Sequence, residues 1–431
     1  TGPGSDESQL TGRVTLDPAA LDAFGIALPP GSIRGSTAGQ ITLDLKKNTP
    51  PRFTLESNLA GMSVTIPQLS WSKAASTKGE LRIAGRLGQT PDIEALQLTA
   101  PGLRLAGSIA LNADGSLERV RIDRLRRGDW LDIPVDLVGQ GKGNPLQVVL
   151  GGGSLDMRRA EFGASGGGQP GPPMQVRLDR LQITDTIFLT DVAGTFDTAK
   201  GMDGSFRARL NGGTPVQGRL LPQGGRSAVR VVSEDAGGVL RSAGLVKQVV
   251  GGNLSLTLLP VGSGGAFDGQ LKVGDVRIKD APAIAALLNA VSVVGLVNEL
   301  NGDGIYFDDV EASFRLTPNR LVLTEASAVG ASMGLSMDGI YALDDGIIDM
   351  QGVISPVYLF NGIGSLLTRK GEGLIGFNYR LTGPAKKPAV SVNPLSALTP
   401  GMFREIFRRP APTVPNVQGQ ANPVARVPED R

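Results

Sequence analysis

The sequence predicts a mainly β protein: a long, curled antiparallel sheet of many short strands, left open along one side as a taco-like groove, with a few short amphipathic helices toward the C-terminal end. Three observations predict it: period-two alternation of apolar residues, turn formers between the alternating runs, and few stretches of helical periodicity. Alternation is plainest where Leu103, Leu105, Gly107, Ile109 and Leu111 fall on one side of a strand and polar or small residues on the other. It recurs at Leu254, Leu256 and Leu258, at Phe267, Gly269, Leu271 and Val273, and at Val310, Ala312, Phe314 and Leu316. Further runs are Met333, Leu335 and Met337, then Ile348, Met350, Gly352 and Ile354, then Ile375, Phe377, Tyr379 and Leu381. Asn112 to Gly115, Thr317 to Asn319 and Asp344 to Gly346 punctuate them as hairpin turns, and the 60 Gly and 29 Pro are spread between runs. Roughly 25 strands are expected, beyond the ~10 that an open sheet tolerates before it curls or splits.

Helical signals are sparse. A short one at Asp17 to Phe24 has Asp17 as cap and Pro18 in the first turn. A second, 235–250, is weakened by Gly237, Gly238 and Gly244. The third, 280–300, is apolar nearly all round, with Leu287, Leu288, Leu296 and Leu300 among its residues, as a buried or interfacial helix would be. Pro282, Asn289, Ser292, Gly295, Asn298 and Glu299 interrupt the run of about 20 apolar residues that a membrane span needs. Helices are also expected over 357–368 and, amphipathically, over 395–408.

These elements divide the chain into groove repeats over 1–162, a Gly/Pro-rich loop over 163–173, further groove repeats over 174–270, a C-terminal region over 271–409 and a disordered tail over 410–431. The chain opens Thr1 to Ser5 without an initiator Met, as a processed or engineered fragment does.

Composition excludes more chemistry than it suggests. There is no His and no Cys, which removes the commonest general base and metal ligand, thiolate catalysis and disulfides. No catalytic residue, metal site or cofactor is expected, and the protein reads as no enzyme. Lys+Arg 43 against Asp+Glu 41 leaves no basic field for nucleic acid, and 4% aromatic residues are few for stacking on bases or sugars.

Short motifs have plain readings. Gly371, Gly373 and Gly376 match a dinucleotide pattern, but a strand rather than a helix follows, so a turn is expected. Arg127-Gly128-Asp129 is a chance tripeptide in a Gly-rich chain. Asp308-Asp309 and Asp344-Asp345 are expected as solvated residues beside turns. Arg124, Arg126 and Arg127 form one basic cluster. Arg369, Lys370, Lys386, Lys387, Arg404, Arg408 and Arg409 form another.

One-sided alternation leaves each strand with an apolar face and few helices to cover it. Either the sheets close on themselves, or the face is filled from outside by something apolar. In the second reading acyl chains lie on Leu103, Leu105, Ile109, Leu111, Leu254, Leu256, Leu258, Leu271, Val273, Phe314, Leu316, Leu335, Met337, Ile348, Met350, Ile375, Phe377 and Tyr379. Arg369, Lys370, Arg404, Phe407, Arg408 and Arg409 are then the membrane-proximal set, placed to meet anionic headgroups.

The stretch from Leu271 to Arg409 resembles the C-terminal region of AsmA-like proteins, the YhdP/TamB type. The residues carrying it are the apolar helix Ala281 to Leu300, Gly302 to Phe307 leading into Val310 to Leu316, Leu321 to Leu323, Gly339 and Gly352, and the closing Leu381 to Pro384, Pro388, Val390 to Pro394 and Pro400-Gly401. The resemblance implies a periplasmic protein anchored to the inner membrane of a Gram-negative bacterium, a bridge-like groove moving phospholipid between inner and outer membranes, envelope proteins as partners and no catalytic residues. The family's N-terminal anchor and further repeats have no counterpart in the sequence given.

Overall fold

The computed structural model describes residues 7–19, 31–88, 92–141, 144–160, 171–245, 247–262, 265–291, 294–356, 369–373, 375–399, 404 and 406–414. The protein is mainly β, and its chain divides into two compact units, Thr1–Gly212 and Gly213–Arg431.

The first unit contains β1 (Glu7–Leu16), β2 (Ile33–Gly35), β3 (Thr37–Lys46), β4 (Arg52–Ser57), β5 (Met62–Ile66), β6 (Trp71–Lys73), β7 (Glu80–Arg86) and β8 (Asp92–Ala100). It continues with β9 (Leu103–Leu111), β10 (Leu117–Arg127), β11 (Leu131–Val138), β12 (Gln147–Gly151), β13 (Ser154–Asp156), β14 (Met174–Gln182), β15 (Phe188–Asp197) and β16 (Asp203–Leu210). Strands β1, β3, β4, β7, β8, β9, β10 and β11 pair antiparallel in that order, as the hairpin turns require.

Among the described strands of this unit, antiparallel pairing gives way to parallel at β14. Strands β12 and β13 both pair antiparallel with β11 but parallel with β14. They are one strand broken at Gly152 and Gly153, whose φ values of 144° and 77° suit only glycine. The chain then returns through 157–173 before entering β14, the length of connection a parallel pair needs.

Strands β2, β5 and β6 form a separate three-stranded sheet. Its Met62, Ile33 and Val64 pack against Leu16, Phe53, Leu55, Ile83 and Ile93 of the main ladder, giving this unit a core at its N-terminal end. Lys73 is buried there, and its ammonium donates to the carbonyls of Leu59 (2.7 Å) and Met62 (2.8 Å). Burial lowers its pKa, while the carbonyls satisfy its donors.

The second unit is a meander of β17 (Thr214–Gln223), β18 (Arg226–Ser233), β19 (Val249–Val261), β20 (Ala266–Ile278), β21 (Ile305–Leu316), β22 (Arg320–Val329), β23 (Met333–Ala342), β24 (Ile347–Pro356), β25 (Phe377–Pro384) and β26 (Ala389–Asn393). Each strand pairs antiparallel with the next. Among the described residues no pairing joins β26 back to β17, so the ladder is open.

Among the described residues three helices interrupt it: α1 (Ala236–Ser242), α2 (Pro282–Ala290) and α3 (Val294–Asn301). The expected helix over 235–250 is therefore only α1, because the strand pairing of β19 claims the chain from Val249 onward. The expected single helix over 280–300 is α2 followed by α3.

Helix α2 leaves the end of β20 and yet contacts β26. Its 9 residues make it about 13.5 Å long, against roughly 29 Å for the six strand spacings between β20 and β26. The strands between them bend toward it. Leu287, Leu288, Leu296 and Leu300 are buried, as are Met333 and Ile354 of the ladder.

The helix expected over 395–408 is a 3-10 turn at Pro394–Leu398 with further 3-10 residues at 404 and 406–407. Pro394, Asn393 as cap and the Ser396 bond to the Asn393 carbonyl favour that tight turn. Helix 357–368, most of the loop 163–173, residues 20–24 of the first helical signal and most of the tail 410–431 lie outside the described residues.

Candidate functional site: an apolar sheet face

Antiparallel partners point to the same face, so the register decides which apolar residues lie together. In the second unit Leu254 faces Val273, Leu256 faces Leu271, and Val273 faces Val310. Phe314 faces Leu323, Leu316 faces Leu321, and the row passes through Ala326 to Met337 and through Ala328 to Leu335. It continues with Leu335 to Ile354, Met350 to Leu381, Ile354 to Phe377 and Gly352 to Tyr379. Leu258 extends it in the other direction to Val229. The alternating runs picked out from sequence thus form one unbroken aliphatic surface from β18 to β25.

Ile375 is the exception. It precedes β25, outside the ladder, and is 53% exposed.

The first unit repeats the arrangement. Leu105 faces Leu98 and Leu125, Ile109 faces Ile93 and Val120, and Leu111 faces Leu117. Val135 and Leu137 carry the row to Leu150 and Val148, and β14 takes it on through Val176 and Met174.

Most of this surface is half-buried, neither core nor fully wet. Leu105, Ile109, Leu111, Leu256, Leu258, Leu271, Phe314, Leu316, Leu335, Met337, Ile348 and Phe377 all lie in that middle range. Leu103, Leu254, Val273 and Met350 are buried, as are Leu323, Ala328, Ile354 and Leu381 of the row. Tyr379 is buried for a structural reason: its hydroxyl donates to the Ser336 carbonyl at 2.8 Å across the space left by Gly352. Burial drives its pKa far above the phenol range, so it stays neutral.

Glycines on the face make room for rings. A Cβ on Gly269 would sit 2.2 Å from the Phe314 ring, and one on Gly204 would sit 2.7 Å from that of Phe196. The rings therefore fill the space over the neighbouring strand that a side chain there would take, and add to the apolar surface.

The opposite face is charged. In the first unit Arg124 grips Asp132 with two bonds of 2.9 and 2.6 Å, and this pairing lowers the Asp132 pKa. Arg158 holds the Asp156 carboxyl down to about 2.

In the second unit the polar face is partly covered by the chain's own C-terminal segment. Arg408 donates to Asp338 and, at 2.5 Å, to Glu372, and Ser336 donates to Glu372 at 2.6 Å. Gln351 donates to Asp338 (2.9 Å) and to the Arg409 carbonyl (2.8 Å). Arg404 is 1% exposed and donates to the Gly373 carbonyl.

That arrangement corrects the membrane-proximal set. Arg404 and Arg408 face inward, because Asp338, Glu372 and backbone carbonyls take them up. Arg369, Lys370 and Arg409 are exposed but paired, with Asp338, with Asp309 and Glu311, and with Asp349. Phe407 is exposed, with Ile406, Leu395 and Leu398. Asp338, Glu372 and Gln351 gave no signal in sequence, since an isolated acid in a polar position predicts nothing about a partner far along the chain.

Asp308 and Asp309 stand inside β21 rather than beside a turn, where the Lys370 ammonium meets Asp309 at 2.5 Å. Asp344 and Asp345 lie in the β23–β24 turn. Gly371 is in a turn with φ of 83°, with β25 following. Arg127 donates to the carbonyls of Leu69 (3.3 Å) and Ser70 (3.2 Å), and Asp129 pairs with Arg159.

Among the described residues no cluster of His, Cys, Asp or Glu is placed to hold a metal ion, and no helix is long and apolar enough to cross a membrane. Compared with known proteins, the chain matches no family model, no curated protein and no solved structure.

Proposed function

We propose that the protein is a non-enzymatic lipid carrier whose apolar sheet faces hold phospholipid acyl chains, in traffic between the inner and outer membranes of a Gram-negative envelope. The observation that carries the reading is the continuous aliphatic surface from β18 to β25 in the second unit, half-buried along much of its length and buried where it reaches β24 and β25. Each buried CH₂ contributes about 0.8 kcal/mol, so a chain of some fifteen carbons gains on the order of 10 kcal/mol before ordering costs. That gain is non-directional, so a lipid keeps it while shifting from strand to strand. The envelope setting rests on the AsmA-like resemblance.

Mass spectrometry of an organic extract of the purified protein is expected to find phospholipid at near-stoichiometric amounts. Leu256→Glu, on the apolar face, is expected to lower that occupancy, whereas Ser255→Glu, one residue along on the other face, leaves it unchanged. A lipid-free extract with no uptake of labelled phospholipid would overturn the reading. It would favour instead a structural scaffold with self-covered sheets, for which the β2–β5–β6 sheet over the first unit's apolar residues is the supporting observation.

A further inference from the structure

The first unit contains a cavity of about 670 Å³ at the strand ends where β7 and β9 begin and β8 and β10 finish. Lys78, Arg104 and Arg126 line it, with Glu80 the one acidic side chain in its lining and Thr99 and Asn58 as polar neighbours. Arg104 and Arg126 are direct antiparallel partners on the charged face, and Thr99 is the partner of Arg104 on its other side. Like charges placed directly opposite in a ladder repel and destabilise it unless something of opposite sign lies between them.

The local acids supply that charge only in part. Asp132, the partner of Arg126 on β11, attracts it but gives both its hydrogen bonds to Arg124, which leaves Glu80 as the acid in the lining against three cations. The third arginine of the sequence cluster, Arg127, is spent on the carbonyls of Leu69 and Ser70. The wall itself is braced: Trp71, buried, donates its indole N–H to the Pro101 carbonyl at 2.9 Å, and the Gly128 amide donates to the Gly102 carbonyl at 3.0 Å. A rigid wall, three cations and one acid make a receptor for an anion.

We propose that this cavity binds a phosphate group, with Arg104 and Arg126 as a two-guanidinium clamp and Lys78 as a third contact. Guanidinium groups meet phosphate oxygens through paired N–H donors, which a spherical anion such as chloride does not match. The phosphate belongs either to a lipid headgroup, which would extend the lipid reading, or to a free phosphate compound. The site itself stands on the register and the cavity alone.

The test is calorimetry and thermal unfolding of the whole protein with inorganic phosphate, glycerol 3-phosphate and a short-chain soluble phosphatidylglycerol, each against chloride at matched ionic strength. At least one phosphate compound is expected to bind and to raise the unfolding midpoint, and Arg104→Gln with Arg126→Gln is expected to weaken it tenfold or more. Binding of the free phosphates assigns a soluble ligand, and binding of the phosphatidylglycerol alone assigns a headgroup. Without anion, the double variant is expected to keep the cooperative unfolding transition of the parent protein, so loss of binding is not loss of fold. Absence of binding by all three compounds, or binding undiminished in the double variant, overturns the proposal. Acyl lipid in the organic extract is measured separately, so the site fails or stands independently of the apolar face.

Discussion

Phe314 lies across the backbone of Gly269 on the neighbouring strand, and that pairing is the residue-scale device that keeps the apolar surface of the second unit smooth. Gly269→Val is expected to destabilise this unit by about 1–3 kcal/mol in denaturant titration, the usual cost of forcing extra methyl groups into a filled space. Adding Phe314→Leu is expected to recover part of the loss, because the two residues share one volume. A different residue-scale balance holds on the charged face. Asp338 and Arg408 have side chains only 2% and 3% exposed, so Asp338→Ala removes one of the two carboxylates that hold Arg408, leaving it Glu372, takes the acceptor from Gln351, and is expected to cost about 1–3 kcal/mol. Arg409→Ala breaks a pair that is nearly half exposed and is expected to cost less than about 1 kcal/mol.

Among elements, the C-terminal segment behaves as a strap fastened by charge to the polar side of β21 and β24. Lys370 lowers the pKa of Glu311, chiefly by its hydrogen bond, and Arg409 does the same to Asp349. A folded pKa below the unfolded value means that the stabilisation is fully present above the ordinary carboxylate range, about 4, and is lost as pH falls through the depressed value. Hydrogen exchange corrected for its intrinsic pH dependence is therefore expected to speed up below about pH 4 at residues 369–373 and 406–410. Unchanged protection at pH 3 would mean that these two exposed clasps do not hold the strap. Helix α1 depends on a cap in the same unit: Asp235 accepts from the Gly238 amide at 2.7 Å, so Asp235→Ala is expected to lower stability by about 1 kcal/mol.

For the molecule as a whole, the lipid reading makes affinity a matter of apolar length rather than headgroup. With about 0.8 kcal/mol per buried CH₂, each added methylene in a series of acyl probes is expected to tighten binding by up to about fourfold. Competition against a fluorescent fatty acid measures this directly. An affinity that does not change with chain length would mean that acyl chains are not what the apolar faces hold.

Strand periodicity was legible in the sequence because alternation is a local property: two residues on one strand share a face whatever the rest of the chain does. The one-sided rows through Leu105, Leu256, Phe314, Leu335 and Met350 were readable for that reason, as was the mainly β fold. Helix ends were less legible, since β19 takes over from Val249 and the break between α2 and α3 divides an apolar run that looks continuous. The parallel pairing of β14 was hidden because nothing local marks Gly152 and Gly153 as a break within one strand. Least legible were the fates of charges. Arg408 finds Asp338 at a separation of 70 residues, and Arg104 meets Arg126 only because β9 and β10 pair in one particular register. The alternation determined which side of each strand is apolar. Only the tertiary structure decided which charges are buried, which are paired and which face one another, because electrostatic partners are set by distance in space and leave no period along the chain.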